Sequence, residues 1–301
     1  MQFIQQMING ITIGAFYSLV ALGYTMVYGV LKLINFAHGD LFMWGAYLGL
    51  TGLNVLLALL AQASAWAILP VVIIVMVTVA LAGVLVERVA YRPLRTAGRL
   101  APVISALGVA FILESLARNV YGASWKTYPA GITPAGRLAL AGGVHVSVMQ
   151  VIVLVVSFLL MGGLYLFVQR TRIGTAMRAV SLDHDVSRLM GIDVDRIIAI
   201  VFVIGPGLGG VAGMIVALYY GSFDFTLGWV FGLKAFIAAI LGGIGNIPGA
   251  MLGGMLLGII ETLGSGYVSP QWKDVIAYVI LIVILIFRPT GLLGERVAEK
   301  L

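Results

Sequence analysis

Charge is what this sequence has least of. Only 10% of its 301 residues are charged and 61% are hydrophobic, whereas soluble globular domains carry charge on roughly a quarter of their residues. With a mean hydropathy of +1.09, a soluble fold is excluded and an integral membrane protein is expected. Cysteine is absent, which removes disulfides, thiolate metal sites and cysteine nucleophiles and leaves the redox compartment unread. The three histidines, His38, His145 and His184, fall on separate segments, so neither a metal site nor a hydrolytic centre can be assembled from them. No G-x-x-x-x-G-K-[ST] occurs, and the chain is therefore not itself a nucleotide hydrolase of the P-loop kind. An arginine-rich voltage sensor and a TVGYG filter are also missing, and Ser265 between two glycines has no partnered histidine. The first residues lack a basic region and a small-residue cleavage site, so no removable signal peptide is expected.

What is present is a succession of apolar runs parted by short polar ones. Met1 to Leu31 carries no charge, and Met7 to Val30 is long enough for one span. Leu41 to Val86 is again uncharged; as helix it would measure about 69 Å, more than two hydrocarbon cores, so it must fold back. The fold-back is expected near Gln62 to Trp66. Glu87 to Arg99 holds four arginines and Pro93, which predicts a cytoplasmic loop. Spans are then expected near 101–121, 147–169 and 197–220, with a weakly charged, Pro- and Gly-containing loop over 123–145 on the far side. Residues 228–265 form a glycine-rich helical hairpin turning at Gly-Asn-Ile-Pro, and a last span runs near 271–288. The fold class is an all-α polytopic bundle of about eight to ten membrane segments within a single transmembrane domain, 1–301. Thirteen of the eighteen basic residues fall on one side by this assignment, which places the N-terminus outside and the C-terminus in the cytoplasm. A positive charge so scattered is no nucleic-acid footprint, and the lipid bilayer is the expected surrounding.

Four groups of residues invite a role. The first is the longest polar stretch, Arg170 to Arg196, with five arginines and four aspartates. Ala176, Met177, Ala179, Val180, Val186, Leu189 and Met190 recur there at helical spacing, and Gly191 is placed as a stop. This predicts one or two short amphipathic helices offering a face to a partner; a solvated connecting loop is the alternative. The second group is intramembrane charge: Glu114 and Arg118 are spaced for an ion pair on one helix face, and Lys234 and Glu261 sit on opposite hairpin arms where they can pair. The third, Asn35, His38 and Asp40, reads as a compact polar turn whose side chains satisfy backbone groups. The fourth is small-residue spacing, Gly205, Gly209 and Gly213 in one span and Gly249, Gly253 and Gly258 in the hairpin, which lets helix backbones approach closely in lipid.

Five segments carry a family likeness: 21–47, ERVAYRPLR at 87–95, 170–197, 233–261 and IFRPTGLLG at 286–294. Together they resemble the LivH-type permease of branched-chain amino-acid ABC importers, INFAHGD and ERVAYRPLR being the most specific matches. The resemblance implies a bacterial inner-membrane subunit paired with a LivM-like second permease, two cytoplasmic ATPases and a periplasmic amino-acid-binding protein. Residues 170–196 would contain the coupling helix, with Gly174, Ala176, Arg178, Ala179, Ser181, Asp183 and Gly191 as the matching positions, and reversing the charge at Arg178 would abolish uptake. No cofactor or metal is expected on this chain; ATP and magnesium would belong to the ATPases. Related importers of urea, short amides or aromatic acids share this permease type, and an ion-coupled secondary transporter is the rival from another class.

Overall fold

In lipid, backbone groups must be satisfied within the spanning segment, and a helix achieves this. The computed structural model describes all residues except 1, 61–67, 96, 99, 130, 133–135, 141–142 and 295–301. Among the described residues eight helices are long and apolar enough to cross a membrane. They are α1 (Gln2–Leu31), α2 (His38–Leu60), α3 (Ile68–Val86), α4 (Leu100–Tyr121), α5 (Val148–Arg170), α8 (Val194–Tyr220), α10 (Ile247–Tyr267) and α11 (Lys273–Phe287) with its leading turn. Two short helices, α6 (Arg172–Leu182) and α7 (His184–Leu189), lie between α5 and α8, and α9 (Leu227–Gly242) precedes α10. The expected fold-back at Gln62–Trp66 falls outside the described residues.

The apolar stretch of α1 is 89% buried and that of α8 72%, against 17% for α4 and 6% for α11. Helices hydrophobic on every side belong in the middle of a bundle, and α1 and α8 form its axis. Small residues set the spacing. A methyl group placed on Gly213 of α8 would strike the carbonyl of Phe42 in α2, and one on Gly45 would strike Gly210. Along the other side, Gly254 and Gly258 of α10 lie against the backbone at Ser18 and Gly14 of α1. Such contacts replace the hydrophobic drive that lipid cannot supply.

Two helices begin inside the bundle rather than at its edge. His38, the first residue of α2, packs its ring on Tyr24 at 5.0 Å and against Gly23 and Gly209. Gly23 lies about 12 Å before the end of α1 at the helical rise, so the link from Lys32 to Ala37 turns back into the bundle. The first turn of α9 meets that of α2, with Gly228 against Gly39. With 16 residues, α9 is about 24 Å long, short of a hydrocarbon core of about 30 Å.

Two sequence expectations are corrected. Residues Glu87 to Leu94 do not form a loop: α3 runs on through a π-helical turn, Glu87–Tyr91, and a 3₁₀ turn, Arg92–Leu94. The irregular turns absorb the hydrogen bond that Pro93 cannot donate, so the proline ends the helix gradually. The stretch 123–145 is not merely loop. Lys126–Thr127 (β1) pairs antiparallel with Ser222–Phe223 (β4), and Arg137–Leu140 (β2) with Val144–Ser147 (β3).

The glycine-rich segment is the expected hairpin. Asn246 caps α10 by accepting from the Gly249 N–H at 3.0 Å, as an asparagine at a helix start should. The strand of chain after α11 then crosses the hairpin tip: Leu292 N–H donates to Leu241, Leu293 N–H to Gly242, and the Asn246 amide to the Leu293 carbonyl.

Candidate functional site

The polar segment 170–196 folds through side chains that cap helices. Thr171 accepts from the Gly174 N–H at 3.0 Å and starts α6. Asp183 accepts from the N–H groups of Asp185 and Val186 at 2.9 and 3.1 Å and starts α7. Asp193 does the same for α8 through Arg196 N–H. At the end of α7, Gly191 takes φ +81°, with its N–H on the Arg188 carbonyl and Ile192 N–H on the Ser187 carbonyl. This left-handed closure is why a glycine stands there.

One face of the segment grips the bundle. Gly174 lies so close to the carbonyls of Phe167 and Val168 that a side chain would not fit. The Arg178 guanidinium donates to the Val168 carbonyl and to Thr175 Oγ1, so it closes the end of α5. Ser181 donates to the Arg178 carbonyl at 2.7 Å. Met177, Arg178 and Ser181 wall a small cleft with Thr25, Met26 and Gly29 of α1, while Ala176 and Ala179 are half-buried. His184 reaches the Val30 carbonyl at 2.7 Å, occupying one of the carbonyls orphaned at the end of α1. The outward face is apolar. Leu182, Leu189 and Met190 are 84%, 86% and 77% exposed, with Val186 beside them. Arg178, expected to present its charge outward, is turned in because the carbonyls at the end of α5 need a donor.

A second set of residues binds this segment to α3. Asp195 Oδ1 accepts from Arg95 at 2.6 Å and Oδ2 from Arg92 at 3.2 Å, and Arg95 also pairs with the buried Glu87. Sequence reasoning gave these four residues no role, although the ERVAYRPLR stretch that holds three of them stood out. Their signal was a lone acid in a run of arginines, which a loop assignment concealed.

The intramembrane groups fall out differently. Glu114 and Arg118 form no ion pair: the Arg118 guanidinium lies 5.8 Å from the centre of the Phe225 ring, and Glu114 lines a cleft with Asp40. Lys234 and Glu261 are joined at 2.6 Å, and α11 adds two more charges, Asp274 at 2.7 Å from Lys234 and Lys273 at 3.1 Å from Glu261. Asn35 accepts from the Tyr91 hydroxyl at 3.2 Å. His38 is fully buried with neither ring nitrogen in a hydrogen bond of ordinary geometry, so the polar turn is a packed core element. Gly205 lies against Gly23, Gly209 against the His38 ring, and Gly249 and Gly253 against Gly242 across the hairpin. No cluster of three metal-ligating side chains occurs among the described residues.

This geometry describes a helical bundle with an outlying, cap-stabilised segment gripped by α1 and α5. Residues 6–285 match the family model described as the branched-chain amino acid transport system permease component. The chain is 42% identical over 301 residues to the high-affinity branched-chain amino acid transport system permease protein BraD of Pseudomonas aeruginosa, covering 99% of this chain and 98% of that one. It is 40% identical to the corresponding permease protein LivH of Escherichia coli K12, with coverage of 99% and 97%. A xylose transport system permease protein, XylH of Escherichia coli, is 28% identical over 43% of this chain and 35% of its own length. No solved structure matches. The match along nearly the whole length places this chain in the family of branched-chain amino acid transport system permease components.

Proposed function

We propose that this chain is a membrane-spanning permease subunit of an ATP-driven importer and that its cargo is a branched-chain or other hydrophobic amino acid. The carrying observation is the full-length 42% identity to a protein named for high-affinity branched-chain amino acid transport. The chain works beside a LivM-like second permease, receives solute from a periplasmic binding protein and is driven by two cytoplasmic ATPases, which hold ATP and magnesium. Its N-terminus lies in the periplasm and its C-terminus in the cytoplasm, with residues 170–196 on the ATPase side of the inner membrane. The whole chain, 1–301, acts as one permease domain.

Coupling rests on the two faces of that segment. The exposed side chains of Val186, Leu189 and Met190, at the spacing of one helix face, dock into an ATPase groove with Leu182 at the end of α6 beside them, a helix-in-groove contact. Movement of the ATPases then reaches α1 through Met177 and His184, and α5 through Gly174 and Arg178. Leu189→Asp is expected to reduce co-purification of the ATPases by more than about tenfold, the worth of one buried apolar anchor; normal recovery of the complex would remove the docking assignment. His184→Ala keeps the ATPases bound but loses the contact to Val30. Leucine moved per ATP hydrolysed should fall by about two- to tenfold, the range for one hydrogen bond, and an unchanged ratio in proteoliposomes would show that α1 is not driven through this residue.

The test of the function itself is expression of the chain with its partner subunits, extraction in mild detergent and assay of ATP hydrolysis with and without leucine-loaded binding protein. Stimulation by the loaded protein is the expected result. Leucine uptake by this chain alone, in liposomes without ATP, would replace the importer with the ion-coupled transporter.

A further inference from the structure

A series of polar contacts runs from the polar segment to the middle of the bundle. Asp195 is the second residue of α8, just past the cap that closes residues 170–196. Each of its oxygens takes an arginine from the continuation of α3, Arg95 at 2.6 Å and Arg92 at 3.2 Å. Arg95 divides its guanidinium between half-exposed Asp195 and Glu87, whose side chain is only 3% exposed. Glu87 opens the π-helical turn that ends in Tyr91. The Tyr91 ring lies 5.2 Å from that of Phe202 in α8, and its hydroxyl reaches the Ile34 carbonyl at 3.1 Å and Asn35 Oδ1 at 3.2 Å. Both acceptors belong to the link that turns back from α1 to the recessed start of α2.

Stability alone does not explain this line. Taking Glu87 and Arg95 out of water consumes much of their attraction, and a well-packed apolar pair would hold the helices as firmly. The pair is also incompletely satisfied, because Arg95 Nε is buried without a hydrogen-bond partner among the described residues. The turn that carries Glu87 is irregular as well. Arg92 N–H closes on the Glu87 carbonyl five residues back, and π-helical turns of this kind bend helices and gather at functional places. Strength is given up at successive points, and what those points share is that they fix the relative position of α8, α3 and the α1–α2 link.

We propose that Arg95 is a positioning residue of the transport cycle: it carries the displacement of residues 170–196 from Asp195 into the π-helical turn, and Tyr91 passes it to the start of α2. The assignment rests on the importer reading and adds a third line of transmission, to α3 and α2, beside those to α1 and α5. The start of α2 lies against Gly209 of α8 through His38 and against Gly228 of α9 through Gly39. A shift there reaches the axis of the bundle and the hairpin together.

The test uses the complete complex in proteoliposomes with leucine-loaded binding protein. ATP-driven uptake by the unsubstituted complex is measured first, and its absence would remove the importer reading and this line with it. Leucine moved per ATP hydrolysed is then compared in Asp195→Asn, Tyr91→Phe and the double variant, with recovery of the ATPases and the melting temperature measured beside it. Asp195→Asn leaves Glu87 paired with Arg95, and Tyr91→Phe keeps the ring against Phe202. In each single variant the ratio should fall about two- to tenfold, the range for one hydrogen bond, with the ATPases still bound. Because both changes cut one line, the double variant should be no worse than the more damaged single one. Asp195→Glu, which restores the carboxylate, should recover the ratio at least in part. Unchanged ratios in both single variants, with or without a lower melting temperature, would overturn the proposal, as would losses that multiply in the double variant. Loss of the ATPases from Asp195→Asn would overturn it too, by making Asp195 part of their dock.

Discussion

Gly258→Leu is expected to leave almost no correctly folded protein in the membrane. A Cβ there would meet the nitrogen and Cα of Gly14 in α1 and stand 2.7 Å from the carbonyl oxygen of Gly10. These are backbone atoms, and a backbone cannot rotate out of the way as a side chain can. The helices must separate, and α1 and α10 lose the van der Waals contact that holds them together in lipid. Overpacking an ordinary core by a methylene or two costs about 1–3 kcal/mol, and a whole isobutyl group between two backbones exceeds it. Gly162→Leu is the matched control, because nothing lies within 4 Å of a side chain at that position in α5. Size-exclusion profiles and melting temperatures in one detergent decide the matter. Aggregation of the first variant and parent-like behaviour of the second are expected; a Gly258→Leu protein melting within about 2 °C of the parent would contradict the packing.

Lys234→Met should destabilise the protein by about 3–5 kcal/mol, the range for stripping one partner from a buried ion pair. Glu261, with no exposed surface, would keep only Lys273 at 3.1 Å, and Asp274 would lose its contact at 2.7 Å. The double variant Lys234→Met/Glu261→Leu should be less damaged than the single one. It removes both buried charges together and leaves Lys273 and Asp274, both at the partly exposed start of α11, to water. A cycle of the two single variants and the double, followed by thermal unfolding, gives the coupling. Additive losses would mean that the two residues are stabilised separately, against the geometry of the cluster.

Much of this architecture was legible because lipid imposes simple rules. Uncharged stretches of sufficient length located α1, α5 and α8 within a few residues, an apolar stretch interrupted only by Glu114 and Arg118 located α4, and the doubled run 41–86 announced two helices. The hairpin was legible from Gly243, Gly245 and Asn246 before Pro248. What the rules could not supply was depth. A hydropathy run says where a helix passes through lipid, but INFAHGD turns back inside because Tyr91, Gly23 and Gly209 receive Asn35 and His38, and those residues are distant in sequence. The same limit explains Arg118. Spacing placed it beside Glu114, but an aromatic ring from the α8–α9 connection, Phe225, reached it first. In the polar segment the cap residues and Gly191 were readable as local chemistry, whereas the inward turn of Arg178 depends on α5. The exposed leucines looked like the buried face of an amphipathic helix, and only the packing told the two faces apart.

The chain that crosses the hairpin tip orders events in time. Leu292 and Leu293 supply the donors that the Leu241 and Gly242 carbonyls would otherwise lack, and Gly291 fits against Gly243 with φ +79°. During synthesis the hairpin tip is made some fifty residues before those donors, and α10 is complete about twenty-five residues before them. Until the ribosome has passed Gly294 the hairpin tip is held by its own turn alone, and a chain that stops between the end of α11 and Leu292 keeps its spanning helices but leaves that tip frayed. The last peptide bonds made in this region are therefore the ones that lock it.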